Sequence, residues 1–204
     1  MGRLRLVRVG VTGPMGSGKS TLARELVRRG AVHIDADVLA RSATDDPEVL
    51  ARIARELGSE LVVDGRLDRS ATARKVFSDE SARRTLEGIV HPWVRAASEA
   101  LEAELSARPV PPPMVVHDVP LLFEGGLDAR MDATVLVWAP VSVREARVAR
   151  RGGDPSDVRA RDAAQWPLER KVALADFVVS NDGDERALER QAASLWTALR
   201  MLRS

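Results

Sequence analysis

The 204-residue chain contains no cysteine, which excludes a disulfide framework, a thiolate metal site and a thiol nucleophile. Tyrosine is absent as well, so stacking on a base would fall to Trp, Phe or Arg. Excess charge is lacking: 31 Lys plus Arg against 30 Asp plus Glu leave a formal net charge of +1. That is too little for the broad basic footprint that usually grips nucleic acid, although local anion sites stay open. No apolar run approaches the ~20 residues of a membrane helix. Arg3, Arg5 and Arg8 interrupt the apolar pattern of residues 1–12, which argues against a signal-peptide core, and Leu6 stands where a myristoylation signal wants Ser or Thr. The reading is a cytoplasmic protein that engages neither membrane nor nucleic acid, with no obligate protein partner evident. Lysine is scarce, since Lys19, Lys75 and Lys171 are the only lysines among the basic residues, and a functional lysine is therefore easy to single out. What the chain does have is 45% hydrophobic residues, enough at this length for one compact domain with a sizeable core.

Strand and helix signals alternate. Leu4 to Thr12 reads as a buried strand running into a glycine loop, and Thr21 to Arg29 as a helix stopped by Gly30. Ala31 to Ile34 is a second strand, expected beside the first and parallel to it because a helix separates the two. Residues 45–108 read as a helical excursion. It opens with a helix capped by Asp46 with Pro47 in its first turn, continues with helices near Ser70 to Phe77 and Asp79 to Val90, and breaks at His91-Pro92 before a further helix through Leu105. Strands resume at Met114 to Val119 and Thr134 to Ala139. Ser142 and Glu145 form a capping-box pattern for a helix reaching Arg151, and a second short helix follows the Gly152-Gly153-Asp154-Pro155 turn. Phe177 to Ser180 is a last strand, before a helix with Leu188, Ala192, Leu195 and Leu199 on one face. The sum is an α/β fold, a parallel sheet flanked by helices with one helical insertion.

Gly13-Pro14-Met15-Gly16-Ser17-Gly18-Lys19-Ser20 fits the phosphate-loop pattern without a gap, in the strand-to-helix setting its mechanism requires. Backbone N–H groups there point at phosphate oxygens, the helix adds its positive end, Lys19 reaches the β and γ phosphates and Ser20 holds Mg²⁺. Asp35 and Asp37 end the second strand, where ligands of open α/β sheets bind. Either carboxylate can orient an acceptor hydroxyl and take its proton, or merely cap the helix that follows. Arg144, Arg147 and Arg151 fall on one helical face, either closing over a triphosphate or forming a solvated basic surface. His91-Pro92 marks a helix boundary or an acceptor contact. His33 and His117 read as structural, and the three histidines lack metal-ligand spacing. Asp118 ends a strand where a carboxylate assists Mg²⁺, and the four tryptophans read as packing residues.

In their order along the chain these segments resemble the dephospho-CoA kinase family. The phosphate loop is followed by His33-Ile34-Asp35-Ala36-Asp37 with Arg41, Leu67-Asp68-Arg69, Val76-Phe77 and Ile89-Val90-His91-Pro92. Val119 to Glu124, Arg147 with Arg151, Arg161 with Gln165, Glu169, Lys171, Ala175-Asp176 and Asn181-Asp182-Gly183 complete the match. The resemblance implies a P-loop kinase-type fold with a nucleotide core (about 1–44, 114–140 and 165–204), a helical acceptor subdomain (about 45–108) and a helical lid (about 141–164). It implies transfer of phosphate from ATP, with Mg²⁺, to the 3′-hydroxyl of dephospho-CoA. Asp37 then matches the base, Lys19 the phosphate-binding lysine and Arg147 a lid arginine. Gly13, Met15, Gly16, Ser17, Gly18, Ser20, Thr21, Asn181 and Gly183 fall at the nucleotide, and Asp35, Arg41, Arg69 and His91 at the acceptor. Pro14 and Met15 depart from the usual loop residues, and Asp162 stands where the family usually has an apolar one. Another small-molecule kinase, for a nucleoside or nucleotide, and a nucleotide-dependent switch protein are the rival readings.

Overall fold

The computed structural model describes residues 5–202, so Leu4, where the first strand is expected to begin, lies outside the described residues. In chain order the elements are β1 (Val7–Thr12), α1 (Lys19–Arg28), β2 (Val32–Asp35), α2 (Ala36–Ala43), α3 (Pro47–Leu57), β3 (Val62–Val63), β4 (Arg66–Leu67), α4 (Arg69–Ser78), α5 (Glu80–Ala107), β5 (Met114–Asp118), β6 (Ala133–Trp138), α6 (Val141–Arg150), α7 (Ser156–Ala163), α8 (Leu168–Leu174), β7 (Phe177–Ser180) and α9 (Glu185–Met201). They form two compact units. One comprises the chain up to Ile34 together with Leu105 onward, and the other is Asp35–Glu104.

The first unit is built on a five-stranded sheet of order β2-β5-β1-β6-β7. β1 is buried at every position but Arg8, as expected of a parallel strand covered on both faces. Val9 lies level with Val116 of β5 and Ala133 of β6, and β6 runs parallel to β7. Leu22 and Leu26 of α1 and Leu195 and Leu199 of α9 close over these valines in one core. Asp176 fastens β7 to β6 by accepting both the Thr134 N–H and its hydroxyl at 2.8 Å.

The expected neighbour relation of the first two strands does not hold, because β5 lies between them. A crossover helix sets the direction of the next strand but not its adjacency. The four buried residues Met114–His117 of β5 suit a central position, whereas β2 buries only Ile34.

The Asp35–Glu104 unit packs Val49, Ile53 and Leu57 of α3 against Ala82 and Ile89 of α5. Asp46 caps α3 as expected, accepting the Glu48 and Val49 N–H groups, and its other oxygen takes the Trp93 indole N–H at 2.9 Å. The break expected at His91-Pro92 is absent: α5 runs through Pro92. Interior proline costs about 3 kcal/mol or more through a lost bond and a clash with the carbonyl four residues earlier. Here buried Ile89 and Val90 with the bonded Trp93 hold the helix on both sides. The short β3–β4 hairpin was not anticipated within the helical excursion, although its Asp64-Gly65 turn, at φ of 50° and 72°, is a recognised hairpin signal.

Two further departures lie in the first unit. Ser142 does not cap α6, because the helix starts earlier, at Val141, with Pro140 as N-cap. Glu145 instead bonds Arg159 of α7 at 2.8 Å. α8 is a further helix beyond those expected, a short one between Pro167 and Ala175.

Candidate active site

β1 ends at Thr12 and α1 begins at Lys19, so the glycine loop spans the end of a central strand and the start of a helix. Gly18 is the helix N-cap at φ 100° and offers no side-chain cap, so no capping side chain competes with an anion at the helix N-terminus. A Cβ on Gly18 would stand 2.1 Å from Asn181 Nδ2, so both backbone conformation and space require glycine. Lys19 curls back over the loop, donating to the Gly13 carbonyl at 2.8 Å and the Pro14 carbonyl at 3.4 Å. Ser17 is buried, with its hydroxyl making no hydrogen bond, and the Thr21 hydroxyl accepts from Arg24 at 3.2 Å.

Ser20 donates to Asp118 Oδ2 at 3.4 Å. A hydroxyl beside a carboxylate is a hard oxygen pair that suits Mg²⁺ by donor chemistry. Among the described residues no three His, Cys, Asp or Glu side chains cluster as a metal site, so such a cation would take its remaining ligands from phosphate oxygens and water.

Arg147 of α6 reaches the same loop, donating to the Gly16 and Ser17 carbonyls at 3.4 Å each and to Asn181 Oδ1 at 3.3 Å. Asn181 is buried just after β7 and donates to the Ser17 carbonyl at 2.7 Å. Burial, then the like charges of Arg150 and Arg151, lower the Arg147 pKa from its ordinary value, with Asp182 opposing. A guanidinium nevertheless stays charged at neutral pH, so Arg147 adds its positive charge to that of Lys19 at the loop. The three arginines of one helical face divide: Arg147 lies on the loop, Arg144 is buried between Asp162 and the Met15 carbonyl of the loop, and Arg151 is exposed. Arg161 is also exposed, and Gly183 lies in the exposed turn after Asn181.

The remaining predicted residues belong to the Asp35–Glu104 unit. Asp35 Oδ1 caps α2, accepting from the N–H groups of Asp37 at 2.9 Å and Val38 at 3.1 Å. Its plainer role is thus realised. Asp37 is exposed in the first turn of α2. The Thr44 hydroxyl links the other two basic residues, donating to the Arg41 carbonyl at 2.7 Å and accepting from Arg69 at 3.4 Å. His91 is exposed on α5.

Sequence reasoning did not pair the buried Arg144 with the half-buried Asp162, nor Glu124 with the buried Lys171. Arg144 carried only its helical spacing as a signal, and the scarcity of lysine pointed at Lys171 without saying what it meets.

Residues 7–186 match the family model described as dephospho-CoA kinase. A relative named dephospho-CoA kinase from Anaeromyxobacter dehalogenans is 47% identical over 195 residues, 94% of this chain and 92% of that protein. The crystal structure of TT1252 from Thermus thermophilus is similar at TM-score 0.79 and 42% identity, over 96% of this chain and 98% of that one. A dephospho-CoA kinase structure from Campylobacter jejuni, at 22% identity, has TM-score 0.70 over 95% and 97% of the two chains and bears on the fold alone.

Proposed function

The chain belongs to the dephospho-CoA kinase family and phosphorylates dephospho-CoA with ATP, a step of CoA biosynthesis, and we propose that Lys19, Asp37 and Arg147 carry the transfer to the ribose 3′-hydroxyl. The 3′-oxygen attacks the γ-phosphorus, forming the new O–P bond as the bond to the bridging oxygen breaks. ADP leaves with that electron pair, and the hydroxyl proton passes to the Asp37 carboxylate. The observation that carries this reading is the convergence of Lys19 and Arg147 on one loop. Positive charge held beside the loop offsets the negative charge that develops on the transferring group.

Asp37 is assigned as base on its match to the family motif and its exposed place in the first turn of α2. Gly13, Met15, Gly16, Ser17, Gly18 and Thr21 form the loop and first turn that take the phosphates, with Asn181 and Gly183 on the nucleotide side. Asp35, Arg41, Arg69 and His91 are assigned to the acceptor, within an acceptor subdomain of about 45–108, and residues 141–164 to a lid. Ser20 and Asp118 would hold Mg²⁺, which supplies charge neutralisation across the β and γ phosphates when bound. No described helix is long and apolar enough to cross a membrane, and we place the enzyme in the cytoplasm with its small-molecule substrates.

The experiment is turnover of purified protein with ATP and Mg²⁺ on dephospho-CoA, AMP, adenosine or no acceptor, with products identified by mass. One phosphate gained by dephospho-CoA alone is expected. Its attachment anywhere but the 3′-oxygen would overturn the assigned transfer.

A further inference from the structure

Arg144 is 4% exposed, and its guanidinium meets three separate parts of the first unit. Nε donates to the Ala139 carbonyl just after β6 at 3.0 Å, and Nη1 to the Met15 carbonyl of the phosphate loop at 3.3 Å. Nη1 and Nη2 grip the two oxygens of Asp162 on α7 at 3.0 and 2.6 Å, a fork-on-fork pair that fixes orientation as well as distance. The next loop residue is packed on the same arginine, since a Cβ on Gly16 would fall 2.9 Å from the Arg144 carbonyl oxygen.

We propose that Arg144 and Asp162 are a positioning pair for the phosphate loop, so that affinity for ATP depends on a carboxylate of α7 acting through Arg144. The inference rests on the reading of residues 13–20 as the loop that takes the ATP phosphates. In a trans peptide the C=O and the following N–H point in opposite directions. Anchoring the Met15 carbonyl on Arg144 therefore aims the Gly16 N–H away from Arg144 and fixes one donor of the loop. The loop has few side chains of its own with which to hold that plane. Asp162 holds the arginine in this geometry, because removing the carboxylate would leave a buried guanidinium uncompensated. α7 and the loop thus share one ionic fastening, and lysine at position 144 would keep the charge but not the three-way fork.

The test is steady-state kinetics of Asp162→Asn and Arg144→Lys, each first shown to melt cooperatively. A rise of about tenfold in KM for ATP is expected in both, in line with loop misplacement of a fraction of an ångström. The KM for dephospho-CoA stays within about twofold, and the double variant is no worse than either single one because both remove the same fastening. An unchanged KM for ATP, or equal rises for both substrates, would overturn the proposal, as would a lowered melting temperature with no kinetic change. Should Asp162→Asn not fold, Asp162→Glu, which shifts the carboxylate by one methylene, is read by the same criteria. A drop of less than threefold in kcat/KM for ATP on Lys19→Ala would instead overturn the loop assignment, and the inference with it.

Discussion

Lys171, with 2% of its side chain exposed, sets its ammonium 2.7 Å from Glu124 Oε1. The same ammonium donates to Gln165 Oε1 at 2.8 Å, and the Trp166 N–H donates to Glu124 Oε1 at 3.1 Å. The loop after β5 is thereby tied to α8 and to the segment that follows α7. Glu124 Oε2 is buried without a hydrogen bond, so Lys171 is the main compensation for this carboxylate.

Breaking such a pair by one partner costs about 3–5 kcal/mol, and Lys171→Met is expected to lose that much in urea denaturation at pH 7. A loss under about 1 kcal/mol, the range of an exposed pair, would show that the pair is effectively solvated.

Glu124 gives the pH dependence. Desolvation raises its pKa, but bonds from Lys171, its own backbone and Trp166 outweigh this and hold it below the ordinary 4.5. A depressed carboxyl stabilises the fold above its unfolded pKa, and that contribution is lost as pH falls through the folded value. The stability gap between Glu124→Gln and the unsubstituted chain therefore stays open at pH 7 and narrows only below pH 4.5. A gap that does not change with pH would remove the carboxylate charge as its source.

Lys19→Ala removes the cation that bonds the Gly13 carbonyl. A drop of roughly 10²–10³ in kcat/KM for ATP is expected from loss of one preorganised charge. Steady-state kinetics with saturating dephospho-CoA measure it, and a drop of less than threefold would sink the role.

Asp37→Asn keeps the size of an exposed side chain but cannot take a proton. ATP binding by calorimetry is expected to be unchanged while kcat falls by roughly 10²–10⁴, the range of general-base catalysis. Comparable turnover would refute the assignment.

Arg147→Ala removes the donor to Gly16, Ser17 and Asn181. The rate is expected to fall by roughly 10³, toward the lower end of known arginine contributions to phosphoryl transfer, with little change in KM for dephospho-CoA. A variant altered only in acceptor affinity would place Arg147 in the acceptor site.

Much of the fold was legible where the signal is local. Asp46 with Pro47 marked the start of α3 because a cap bonds N–H groups two and three residues on. The leucines of α9 recur at the helical period and form its buried face. At Pro92 the same local reasoning failed, because tertiary packing on either side outweighed one lost backbone bond. The α6 cap failed for a different reason: Pro140 was already suited to end the strand and start the helix.

The sequence by itself determined the phosphate loop, since strand, glycines, lysine and helix act within one short segment whose conformation follows from adjacent residues. It also determined the α/β class and the ordered motifs that identify the family. Only the tertiary structure decided that β5 separates β2 from β1, that Asn181 braces Ser17, and that Arg144 and Lys171 find Asp162 and Glu124. Those choices join residues remote along the chain, and a chain of 31 basic and 30 acidic residues offers many ion pairs of similar local merit. Which of them form is set by the backbone path and by which side chains burial removes from water.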